Sequence, residues 1–244
     1  MQVMYDQQKA AAAERNDILN NIPALSGNSE RKGFVIKVYS LIFLMLATTI
    51  AFCLAFMNIA KLQVFALNNL WLYYTCLFLV IFITIGMTCL YKKCRAVPLN
   101  YIMLGIYTLA HSYMVALITL LYDKDTVFMA FACTAGMFMA LTTYACFTKT
   151  DLTYMGGALS TSTMMVVMFL ILFSFFRNKI LNLVVCLIMV VLLSFWIIYD
   201  TQIVLGGGKY EELTLDDYCL GALIIYSDVI TLFLYLLQLL GGSK

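Results

Sequence analysis

Charge is scarce in this chain. Only 11% of its 244 residues are charged and 64% are hydrophobic, whereas a soluble domain carries about 25% charged residues. A water-soluble globular domain is thereby excluded. Proline is nearly missing too, with 2 residues, so the apolar runs contain almost nothing that breaks a helix. The single histidine, His111, lies mid-run in an apolar segment without an acid, which argues against a Ser/His/Asp set. Net charge is only +2, which gives no argument for nucleic acid.

What the chain does have is long apolar runs. Stretches without Asp, Glu, Lys or Arg cover 38–60, 62–91, 96–122, 126–148, 152–176 and 180–199, and a further one, 218–243, is broken only by Asp228. A spanning helix needs roughly 20 apolar residues. The expectation is an all-α, polytopic membrane protein with seven transmembrane helices over residues 34–244, preceded by a polar, cytosolic segment, 1–33. That segment carries Asp6, Glu14, Asp17 and Glu30, which fits neither a cleavable signal peptide nor an ordinary mitochondrial presequence. The first spanning helix is expected to serve as its own signal. Residues Gln7 to Arg15 are helix formers and suit a short surface helix.

Basic residues set the orientation. Arg31, Lys32, Lys37, Lys92, Lys93, Arg95, Lys149 and Lys209 fall on one side, and Lys61, Lys124, Arg177, Lys179 and Lys244 on the other. The excess marks the first side as cytoplasmic. With seven spans the C-terminus lies on the far side, unless the last helix is re-entrant. A free membrane protein frays at its polar termini, so a larger membrane protein complex is an expected means of ordering both ends.

Local signals mark several boundaries. Pro98 stands where the third helix begins, a position that tolerates its missing N–H. Gly206-Gly207-Gly208 ends the sixth. Thr214 and Asp217 resemble a capping box that opens the seventh, with Asp216 and Asp217 in its first turn. The fourth segment shows a face of Ala132, Ala135, Gly136 and Ala140, and the fifth one of Gly156, Gly157, Ala158, Ser160, Thr161, Ser162 and Thr163. Small residues let membrane helices approach closely, so these faces are expected to pack. Cysteines 53, 76, 89, 94, 133, 146, 186 and 219 lie in or beside apolar runs with no C-x-x-C pair, and read as packing residues. His111 reads the same way, with a proton-linked role as the alternative.

Two acids break the pattern. Asp200 and Asp228 sit inside the last two apolar segments, where an ionisable group is expensive and marks a functional site. Taking the sixth helix to end at Leu205 and the seventh to enter at Tyr218, they lie about 8 and about 15 Å deep at 1.5 Å per residue, in the same half of the bilayer. Each is the other's natural partner. Two carboxylates at hydrogen-bond distance resist ionising together, so one shared proton keeps the pair singly charged and makes it a candidate proton sensor. Fully ionised, the pair is a hard-oxygen site suited to Ca²⁺. It supplies too few of the six to eight oxygens that Ca²⁺ takes, so binding is weak and suits permeation. No resident cofactor is expected beyond transient Ca²⁺. Lys92, Lys93 and Arg95, on the same side, read as headgroup anchors; the alternative is a gate that reaches the aspartates and that acid would loosen.

At these residues the chain resembles the transmembrane Bax-inhibitor motif family, lifeguard branch, over most of its length from residue 31. Arg31-Lys32-Gly33-Phe34-Val35-Ile36-Lys37-Val38-Tyr39 resembles the family's start of helix one, and Arg95-Ala96-Val97-Pro98-Leu99-Asn100 its link between helices two and three. Ala135, Phe138, Leu141-Thr142-Thr143-Tyr144-Ala145, Thr148-Lys149-Thr150-Asp151-Leu152-Thr153 and Gly156 resemble its most distinctive stretch. Tyr199-Asp200-Thr201-Gln202 and Ile225-Tyr226-Ser227-Asp228-Val229-Ile230 match its last two helices. The resemblance implies seven helices with the last packed centrally, and a di-aspartyl sensor at Asp200 and Asp228. It also implies a pH-sensitive Ca²⁺ leak across an internal membrane and suppression of cell death. Endomembrane (ER, Golgi or endolysosomal) is the implied location, with the mitochondrial inner membrane as alternative. A bacterial relative latches its aspartates with an arginine at the end of helix two. Lys92 falls there, and a lysine offers a point charge rather than a fork. That relative's helix-two acid has no counterpart, because 62–91 holds no Asp or Glu.

Two other classes compete. A scaffold subunit would keep the acids as structural hydrogen-bond partners. An intramembrane aspartyl protease would need Gly-x-Gly-Asp, which does not occur, and a Pro-Ala-Leu triplet within an apolar segment, whereas Pro23-Ala24-Leu25 lies in the polar N-terminal stretch. Lys209 follows three glycines, but the full phosphate-loop pattern is missing. The expectation is a non-enzyme whose partners are the lipid bilayer, Ca²⁺ and H⁺.

Overall fold

A computed structural model describes the backbone at residues 2–89, 97–148, 150, 152–173, 179–206, 213 and 216–242, and the side chains of those residues from 30 onward except 170–173. All regular structure among them is helical. In chain order the helices are α1 (Gln2–Asn58), α2 (Ala60–Asn68), α3 (Leu70–Cys89), α4 (Leu99–Thr119), α5 (Lys124–Phe147), a 3₁₀ turn (Thr153–Met155), α6 (Gly156–Phe173), α7 (Lys179–Leu205) and α8 (Tyr218–Gly241). Six stretches are long and apolar enough to cross a membrane: Glu30–Asn58 of α1, and α3, α4, α5, α7 and α8. Helix is the natural outcome for such sequence, because in lipid every backbone group must find its partner within the segment. The chain is a multi-pass membrane protein.

The run 62–91 does not form one helix. Asn69 divides it: its N–H reaches Ala66 O at 3.2 Å and its side-chain amide donates to Phe65 O at 2.8 Å. A polar side chain that satisfies nearby carbonyls offers the backbone a way out of the helix, so the span starts at Leu70. The expected boundary at residue 33 falls inside α1, which runs without a break.

Helix α8 sits at the centre. It packs against α1, α4, α5 and α7, and 67% of its apolar stretch is buried, against 17–33% for α1, α3, α5 and α7. Its Ile225, Tyr226, Leu232, Phe233 and Leu237 are shielded almost completely. Phe233 stacks on Phe131 of α5 at 4.4 Å between ring centres.

Polar contacts gather at the two ends of the bundle. At one end Arg31 meets Leu205 and Leu213, Gln202 meets Thr150, and Asn100 meets Tyr218. At the other, Lys124 meets Asn58, and Gln238 meets Asn182. Helices therefore alternate in direction, as the basic residues require. Helix α8 runs unbroken from the first end to the second, so it is not re-entrant.

Two sequence expectations are corrected. Asp217 occupies the N-cap position of α8 but its side chain does not cap it, and no acid lies in the first helical turn; Thr214 lies outside the described residues, as do Gly207, Gly208 and Lys209. The small residues do not make the packing faces. Ala132, Ala135, Gly136 and Ala140 on α5, and Gly157, Ala158, Ser160, Thr161 and Ser162 on α6, are exposed on the bundle surface. The buried positions of α5 lie elsewhere on it, at Val127, Ala130, Thr134 and Ala145. Gly156 and Thr163 are the exceptions: a Cβ on Gly156 would stand 2.5 Å from the Tyr199 hydroxyl, and Thr163 accepts from Trp196 Nε1 of α7 at 2.9 Å.

Candidate functional site

Asp200 lies near the end of α7 and Asp228 mid-way along α8, two antiparallel neighbours that pack along each other. Asp200 is buried and Asp228 is half-buried. The structure brings the two carboxyl groups within hydrogen-bonding reach of each other. For them to meet, α8 must begin roughly 7 Å further out than α7 ends. Leu213 shows how the chain allows this. Its N–H reaches back to Ile203 O at 3.4 Å, so the chain passes beside the last turn of α7 before α8 starts.

The chemistry of that contact is specific. An ionised carboxylate only accepts hydrogen bonds, so two carboxyl groups bond to each other only when one holds a proton. The Oδ2 atom of Asp228 is buried and has no partner among the described residues, which leaves an acceptor in reserve. A pocket of about 250 Å³, lined by Tyr199, Asp200, Ile203, Leu213 and Gly221 among others, lies at Asp200. The pair is thus held in apolar helices yet adjoins an open space toward the end of the bundle.

Polar side chains continue from the pair into the core. Thr201, fully buried beside Asp200, accepts from the Tyr39 hydroxyl of α1 at 3.4 Å. Tyr107 of α4 lies near Ser227, Thr84 and Asp228. Thr49 of α1 is a hub, 2.9 Å from the Ser112 hydroxyl and 2.8 Å from that of Tyr226. His111 sits between the rings of Tyr107 and Tyr226, at 5.3 and 5.6 Å. Among the described residues no three His, Cys, Asp or Glu side chains are grouped to hold a metal.

Three residues around the site escaped the sequence reading. Arg31, read only as an orientation charge and as part of the helix-one motif, donates to the carbonyls of Leu205, Leu213 and Ile203. Gln202 accepts from Leu152 N–H at 2.8 Å and donates to Thr150 O at 2.9 Å, which ties the α5–α6 link to the end of α7. Tyr199 fills the space over Gly156. A polar residue at the end of an apolar run was the available signal for the first two. The expected gate residues Lys92, Lys93 and Arg95 lie outside the described residues, so the acids' neighbours described here come from the helices and from the link before α8.

Known proteins resemble the chain throughout. The family model described as inhibitor of apoptosis-promoting Bax1 matches residues 31–244. Protein lifeguard 3 of Mus musculus is 30% identical over 220 residues, covering 87% of this chain and 70% of that protein. The Golgi anti-apoptotic protein of Vaccinia virus (strain Lister) is 30% identical over 214 residues, with 88% and 87% covered. Protein LIFEGUARD 3 of Arabidopsis thaliana is 29% identical over 248 aligned positions, with 98% and 96% covered.

Proposed function

The chain belongs to the Bax inhibitor family, and on that premise we propose that it is a pH-sensitive Ca²⁺ leak channel that modulates cell death, with Asp200 and Asp228 as its proton sensor. The observation that carries the reading is the juxtaposition of the Asp200 and Asp228 carboxyl groups between α7 and α8, in a bundle of membrane-spanning helices. Intramembrane acids are costly and mark ion or proton pathways. With one proton the pair carries a single charge and is closed on itself. Loss of that proton separates the two anions and turns both toward any cation in the adjoining pocket. Two side chains complete only part of a Ca²⁺ shell, so water and backbone carbonyls supply the rest and the ion leaves readily.

The same reading takes α6 as the seventh span. It begins at the Arg31 end, where Gly156 meets Tyr199, and α7 begins at the opposite end, where Asn182 meets Gln238. Eighteen residues reach about 27 Å, close to the thickness of the hydrocarbon core. The membrane is an endomembrane, in line with the word Golgi in the viral relative's name. Cell-death modulation follows the anti-apoptotic names. The reading involves no catalysis and no resident cofactor; its partners are lipid, Ca²⁺ and H⁺.

A second reading, a scaffold subunit of a larger membrane complex, draws on 62–91, which contains no acid. Ca²⁺ efflux from liposomes holding the purified protein, followed from about pH 5 to about pH 8, separates the two. The leak reading expects pH-dependent efflux. A folded protein that is silent throughout and co-purifies with a complex contradicts it.

A further inference from the structure

One side chain ties together residues that line the pocket at Asp200. Arg31, at the start of the apolar part of α1, donates from Nε to Leu205 O at 3.2 Å, from Nη1 to Leu213 O at 2.6 Å and from Nη2 to Ile203 O at 2.7 Å. Ile203 and Leu213 both line the pocket at Asp200. The carbonyls of Ile203 and Leu205 belong to the last turn of α7, whose final carbonyls have no partner within the helix, and a cation is favoured there by the helix dipole. One guanidinium thus joins α1, the end of α7 and the link before α8.

The surroundings are shaped for that group. Gly206 follows α7 with φ +73°, and any Cβ on it would fall on the Arg31 guanidinium. Only glycine meets both conditions, since the left-handed backbone disfavours a side chain and the space is taken. On the other side the Phe34 ring lies 5.0 Å from the guanidinium carbon, a cation–π distance. The three carbonyls accept from three nitrogens of one planar group. A lysine ammonium is a compact point charge without the planar fork, so it cannot hold the three in the same geometry.

We propose that Arg31 is a positioning residue that closes the aqueous mouth of the Asp200–Asp228 site by clamping Ile203, Leu205 and Leu213, so that movement of α1 away from α7 opens it. The consequence for ion flux rests on the acid pair being the working site; the closing role itself does not.

Access can be read without transport. The full chain in lipid nanodiscs is treated with a water-soluble carbodiimide, and modification of Asp200 is followed by mass spectrometry. Arg31→Ala is expected to raise its rate tenfold or more, and Arg31→Lys and Gly206→Ala several-fold, with hydrogen exchange along α8 unchanged. Should Arg31→Ala fail to fold, the other two variants decide. Wild-type rates in folded Arg31→Lys and Gly206→Ala overturn the proposal, as does a rise accompanied by faster exchange throughout α8, which means general loosening. Faster labelling with no Ca²⁺ flux in any variant supports the clamp and overturns the transport reading instead.

Discussion

Asp200 of α7 and Asp228 of α8 stand carboxyl to carboxyl within hydrogen-bonding reach. Two carboxylates both accept, so a hydrogen bond between them requires a proton. Infrared difference spectra of the reconstituted protein near neutral pH are expected to show a protonated carboxyl band. Asp228→Asn removes it, because the amide can donate to Asp200 and the proton is no longer needed. A band unchanged in that variant contradicts a shared proton.

Gly156 takes the place that a larger residue would contest with Tyr199. A Cβ there would stand 2.5 Å from the hydroxyl and 2.9 Å from the ring carbon that bears it. Gly156→Ala is expected to cost about 1–3 kcal/mol, the range for overpacking a filled site. Gly157→Ala, where nothing lies within 4 Å, leaves stability unchanged. Chemical unfolding of the two variants checks the contrast.

Gln202 holds the link between α5 and α6 through both ends of its amide. Gln202→Ala is expected to lose about 1 kcal/mol for this half-exposed pair of bonds. Hydrogen exchange at Leu152 rises with it. Protection of Leu152 that survives the change rules the bridge out.

Thr49 joins α1 to α4 and α8 through Ser112 and Tyr226. Interhelical hydrogen bonds in membranes average only about 0.6 kcal/mol. Tyr226→Phe, which keeps the Thr49–Ser112 bond, is expected to lose about that much. Thr49→Val strands two buried hydroxyls and loses more, up to about 2 kcal/mol. The reverse order in thermal melts would contradict the hub.

Much of this was legible in the residues. Charge-free runs located the spans because lipid leaves a chain few alternatives to helix, and Asp200 and Asp228 stood out because nothing else in the last two runs is ionised. That they touch was expected from depth, though the uneven distances from Leu205 and Tyr218 left a gap that only the path of Leu213 explains. Composition misled where it had no direction. Ala135 and Gly136 are small on any face of α5, and the sequence does not say that their face looks outward. Arg31 was seen as a charge when its role depends on three carbonyls, which carry no signature in side-chain identity. Asn69 was passed over because one polar residue in an apolar run is compatible with a single helix until its own hydrogen bonds to Phe65 and Ala66 are seen.

The most direct test of the central claim is Ca²⁺ efflux from liposomes containing wild type, Asp200→Asn or Asp228→Asn, compared from about pH 5 to about pH 8. The account expects efflux that varies with pH in the wild type and is flat in both variants, with all three proteins folded. Efflux that keeps its pH dependence in both single variants would contradict it.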